Sequence, residues 1–146
     1  VSEESQRAFL SRRVKEVVQT ITPAFPMAYP NLPFDPPKNA PYGRMFLLGG
    51  KGLAVGKDGE KIVNRKTGIL QITIYTPAEK GTAIAAKVFD KIIAAFENYR
   101  GRDAENVPYT FKVSETRYPD AAGGWHQCTL RIPYFRDERQ VLAAVS

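Results

Sequence analysis

One stretch restricts the fold more than any other: "AEKGTAIAAKVFDKIIAAFENY", residues 78–99. Ile84, Val88, Ile92 and Phe96 recur every fourth residue, joined by Ala85, Phe89 and Ile93. That spacing predicts a helix with a broad apolar face, too wide for a partner helix alone and suited to lying on a sheet. Pro77 stops whatever precedes it, Thr76 or Glu79 can start the helix, and "RGRDAEN" ends it in a polar loop.

The strands to cover are on both sides of it. Leu70, Ile72 and Ile74 alternate with Gln71, Thr73 and Tyr75, the period of a half-buried strand. "MFLL" and "GLAV" before it suggest a partner strand bent at Gly49, Gly50 and Gly52, and "KDGE" at 57–60 offers the Asp-Gly turn that a hairpin prefers. Downstream, "VPYTFKV" alternates Val107, Tyr109, Phe111 and Val113 with polar neighbours. "WHQCTLRIPYF" places Cys128, Leu130, Ile132 and Tyr134 on one face and Trp125, Gln127, Thr129 and Arg131 on the other. Ahead of all this, Leu10, Val14, Val17 and Ile21 mark a first helix, capped by Ser2 or Ser5 and ended at Pro23.

Helix, connector, hairpin, helix, hairpin implies an α+β fold. The expectation is a single domain over 1–146: a mostly antiparallel four-stranded sheet, with room for one parallel pair, and two helices packed on one face. Its pieces are a helix at 2–20, a proline-rich extended arm at 23–42, a strand hairpin at 43–76, a helix at 79–99, a strand hairpin at 107–136 and a short C-terminal tail at 137–146. The arm is the odd part. "YPNLPFDPPKNAPYGR", residues 29–44, holds five prolines in sixteen positions, far more stiffening than an ordinary connector needs. A pre-extended segment costs little entropy to order on binding. Tyr29, Phe34 and Tyr42 are spaced along it either as anchors for a partner or as rings packing the arm on its own domain.

Chemistry is harder to find. One cysteine and one histidine exclude an internal disulfide, a cysteine-rich zinc site and paired-histidine metal motifs. His126 and Cys128 are two apart in a strand and read as packing residues. No serine sits in a nucleophile elbow, and Lys51 is followed by Gly52 where a phosphate-binding loop needs Ser or Thr. The residues point away from an enzyme and call for no cofactor or metal. No apolar run is long enough to span a membrane, and the acidic start is unlike a secretory signal, so the chain reads as soluble and made in the cytoplasm. A net charge of +6 leaves room for nucleic acid, with Arg44, Lys51, Lys57, Lys61, Arg65 and Lys66 the nearest approach to a basic patch. A small basic nucleic-acid-binding accessory protein is the alternative reading, and a small enzyme with an unrecognised site a third.

The succession of "YPNLPFDPPKNAPYGR", a Gly-rich hairpin with Arg65 and Gly68, "ILQITIYTPAEKGTAIAAKVFDKIIAAF" and "GGWHQCTLRIPY" resembles the tail terminator (tail completion) proteins of long-tailed bacteriophages, over roughly residues 5–135. The resemblance implies a non-enzymatic virion protein at the head–tail junction. It implies a homohexameric ring that caps the head-proximal end of the tail tube and stops polymerisation. Its partners would be the tail tube protein and the head completion or neck connector protein, with genome DNA passing through the lumen unread. Under that reading, residues 29–44 are expected at or beside the contact between subunits, and the hairpin tip at Lys57–Glu60 is expected to face a partner protein. The candidate interface residues are Tyr29, Pro30, Asn31, Phe34, Tyr42, Arg44, Lys57, Asp58, Lys61 and Arg65.

Overall fold

The computed structural model describes residues 3–21, 25–30, 32–59, 61–78, 81–119 and 123–141. In chain order the elements are α1 (Glu3–Val18), β1 (Met27–Ala28), β2 (Tyr42–Asp58), β3 (Lys61–Pro77), α2 (Ala83–Phe96), β4 (Arg100–Arg102), β5 (Pro108–Phe111), β6 (Glu115–Arg117) and β7 (Trp125–Val141).

Among the described residues the expected four-stranded sheet is instead a seven-stranded one, ordered β1-β2-β3-β7-β5-β4, with β6 also paired to β7. All pairs are antiparallel except β1 with β2. Three strands of seventeen residues each, β2, β3 and β7, carry the sheet. Each spans roughly 56 Å at ~3.3 Å per residue. Gly59, at φ +63°, sits in the turn between β2 and β3, where an L side chain would be strained. β2 carries irregularities between Gly49 and Gly52 and between Ala54 and Gly56, which bend it near the expected glycines.

The two helices lie on one side of the sheet's near half. α2 buries Ala85, Val88, Phe89, Ile92 and Phe96, and α1 buries Leu10, Val14 and Val18. Beneath them, Leu70, Ile72 and Ile74 of β3 and Cys128, Leu130, Ile132 and Tyr134 of β7 join the same core, with Tyr109 and Phe111 of β5. α1 has sixteen residues and α2 fourteen, so each covers roughly 21–24 Å, less than half the length of the long strands. Past that cover the three long strands continue as a ribbon. Gly52 to Gly56 are all exposed, whichever face they point to.

The sheet also claims residues read as loops or tail. β7 continues to Val141, so 137–141 belong to it. β4 and β6 are three-residue polar strands within stretches expected to be irregular. Among the described residues no extended arm stands off the domain. Met27 and Ala28 pair in parallel with Gly43 and Arg44, and Gly43 N–H donates to Pro26 O at 2.9 Å. Phe25, Met27 and Ala28 are buried, and Tyr29 packs against the core. The prolines fix a path that folds back along the sheet, because apolar side chains on both sides of them gain more by burial than by reaching outward. Ser2, Pro23, Glu60, Glu79 and 142–146 lie outside the described residues.

Candidate assembly surfaces

The candidate residues that the structure describes fall into three places. At the covered end of the sheet, on the face opposite the helices, Phe34 lies 5.9 Å from Tyr42, centroid to centroid. Tyr42 stacks on Tyr75 at 4.8 Å and meets Trp125 edge-on at 5.8 Å. The Arg44 guanidinium sits 6.0 Å over Phe34, within reach of a cation–π contact. The tight side chains on β2 and the turning proline segment thus satisfy one another. Burial raises the pKa of Tyr75, reinforced by Tyr42 and opposed by Arg44.

A second place is a groove of about 480 Å³ along the outer edge of β2, where β1 stops. Tyr29, Pro30 and Leu32 close one end, Glu3, Gln6 and Arg7 of α1 form a wall, and Phe46 to Gly49 give the floor. Half-buried Tyr29 has its phenol pushed up to about 12 by burial. Leu32, Phe46, Leu48, Leu53 and Val55 are exposed in and beyond this groove, five of the seven large apolar side chains that the described residues leave exposed. The other two, Val113 and Tyr118, flank β6 on the far side of β7.

The third place is the ribbon. Arg65 grips Asp137 with two hydrogen bonds of 2.9 and 3.1 Å, and its guanidinium lies 4.0 Å over the Phe135 ring. Lys66 reaches Glu138 at 3.0 Å, Glu138 meets Arg136 at 3.2 Å, and Arg136 donates to Glu3 of α1 at 2.7 Å. Burial opposes the Arg136 charge, yet hydrogen bonds to Tyr109 and Glu3 and the field of Glu138 hold its pKa above the ordinary guanidinium value. These pairs neutralise Arg65 and Lys66, half-hidden cations that a duplex-binding patch would need bare. Lys61 opens β3 opposite Asp58 and Val141. The side chains of Lys57 and Asp58, and all of Asn31, lie outside the described residues.

Two features escaped the sequence: the exposure of Leu48, Leu53 and Val55, and the Glu3–Arg136–Glu138–Lys66 chain. The first arises because Leu48 and Leu53 point to the face away from the helices, and β2 past Arg44 borders no described strand on its outer edge. The second was signalled only by the parity of Tyr134, Arg136 and Glu138, which continues the helix-facing side of β7. Among the described residues no cluster of His, Cys, Asp and Glu could hold a metal, and no helix is long and apolar enough to cross a membrane.

The model of one protein family, described as the phage tail terminator protein, matches residues 7–134. No curated protein matches. Nine chains of solved structures do. One, 20% identical, covers 93% of this chain and 96% of its own with a TM-score of 0.73, a likeness of fold.

Proposed function

The chain belongs to the phage tail terminator family, and from that premise we propose how its surfaces serve assembly. As a member it is a structural protein of the virion at the junction of tail and head, and not an enzyme; it takes part in tail assembly with tail and head components. The finer reading is that copies close into a six-membered ring on the head-proximal end of the tail tube. There the ring halts addition of tube protein, offers its far side to the neck connector, and lets genome DNA pass unread.

The observation that carries the ring is the placement of exposed apolar side chains. Leu32, Phe46, Leu48, Leu53 and Val55 gather at the β2 side of the sheet, and Val113 and Tyr118 at the β5–β6 side. A head-to-tail ring needs two unlike patches on opposite sides of one subunit, each meeting the other on the next copy. An isologous dimer needs only one. The β2–β3 turn at Gly59 ends the ribbon farthest from the helices, and we assign it to contact with a tail or neck component.

Electron microscopy of lysates from a phage lacking this gene tests the function. Overlong or irregular tails beside unattached full heads are expected, restored by the gene in trans. Tails of normal length joined to heads would refute it.

A further inference from the structure

The ribbon has two bare edges. β1 pairs with β2 only at Gly43 and Arg44, so from Met45 to Asp58 no strand among the described residues lies on the outer edge of β2. β5 and β6 pair with β7 no farther than Arg136, so the last five residues of β7 likewise border no strand on that side. Because β2 and β7 are each antiparallel to β3, they run in the same direction, towards the same end of the ribbon. Gly43 N–H points outward to Pro26 O, so by alternation the backbone groups of Met45 and Leu47 point outward as well. Long bare edges are templates for pairing, and proteins that keep them exposed usually shorten or charge them. β2 is not shortened: its stretch from Gly49 on is ten residues long and exposes Leu53 and Val55.

We propose that the free end of β7 in one copy pairs, in parallel, with the uncovered stretch of β2 in the next, joining the ribbons of the ring into one closed barrel. The inference rests on the ring reading above. A second copy is the occupant for two reasons. The two edges are unlike and lie on opposite sides of the ribbon, so only head-to-tail contact uses both. Closure also has a consistent size. Three strands from each of six copies make about 18, and barrels of about 16–18 strands enclose an aqueous channel, whereas about 8 would be filled by side chains.

The test is Leu53→Cys with Arg139→Cys, two positions on the ribbon face that points away from the helices. The pair is supplied in trans to phage lacking the gene, and tails are treated with a short bismaleimide. The buried Cys128 stays silent. A ladder of covalent multimers that ends at the closed ring, and that neither single variant gives, is expected. Val55→Cys with Arg139→Cys samples a neighbouring register. No ladder from either pair, in particles whose tails have normal length, overturns the strand contact and leaves the terminator role standing. A covalent dimer from Leu53→Cys alone would put two β2 edges together and overturn it too. Failure of the wild-type gene to restore tail length would instead count against the function itself.

Discussion

Gly68 and Tyr134 face each other across β3 and β7, and a single methyl group is enough to test how tightly the ribbon is fixed to the domain. A Cβ added at Gly68 would stand 2.6 Å from both Cζ and Oη of Tyr134. That ring is buried, packs near Tyr109 and Phe111, and donates its hydroxyl to Gln6 Oε1 of α1 at 3.0 Å. Gly68→Ala must therefore displace the ring. Overpacking costs about 1–3 kcal/mol, and losing the hydroxyl bond adds about 1 kcal/mol. Replacing a strand glycine returns about 0.5–1 kcal/mol of backbone entropy. The net is a loss of about 2 kcal/mol, or about 4–8 °C in Tm for a chain of this size. Urea and thermal unfolding read it directly. Tyr134→Ala should cost about 3–5 kcal/mol alone, but in that background Gly68→Ala should become neutral or stabilising. Additive losses in the double variant would show that the two residues do not press on each other and would refute the reasoning.

The ion chain predicts an asymmetry. Glu138→Ala, which strips a nearly buried carboxylate from Arg136, should cost about 3 kcal/mol, whereas Glu3→Ala, whose side chain is 70% exposed, should cost under about 1 kcal/mol; equal losses in chemical denaturation would contradict that geometry. Burial raises the Cys128 thiol above its ordinary value, so the native protein should resist maleimide until unfolded, and rapid labelling of folded protein would show the site is open. Tyr29 and Tyr134 have phenols pushed up to about 12 from 10.0. Their contribution to stability is complete below pH 10 and is lost as pH rises from 10 towards 12, since the unfolded chain ionises first; phenolate absorbance and unfolding should move together there, and ionisation of every tyrosine near 10 in the folded state would contradict it.

The second helix was the legible part because its apolar residues repeat on a face that only a sheet can cover. Leu70, Ile72 and Ile74 were legible for the same reason at period two. The end of β7 was not, since Arg136, Asp137 and Glu138 in a row look like a solvated tail. They form a strand because Arg65 and Lys66 of β3 stand beside them, partners some seventy residues away. β4 and β6 hold only Arg-Gly-Arg and Glu-Thr-Arg, too short to show an alternation. The prolines suggested a spacer reaching outward, and the ring stack of Phe34, Tyr42, Tyr75 and Trp125 that receives them joins three distant stretches. Of the candidate interface, Phe34, Tyr42 and Arg44 do come together, but they meet one another. The exposed Phe46, Leu48 and Leu53 of β2 point away from the helices beyond the end of β1, and no local pattern contains either that placement or the mismatch between long strands and short helices.

That mismatch of lengths also divides each long strand in time. Amides of Leu70, Ile72, Leu130 and Ile132 sit under the helices and can exchange with solvent hydrogen only when the whole domain opens. Amides of Gly52 to Gly56, on the same sheet, need only the local ladder to part. An isolated copy should thus show slow and fast deuterium uptake along single strands, with the boundary near Gly68 and Arg136. In the proposed ring the fast half is the part that neighbouring copies would complete, and its protection should rise on assembly.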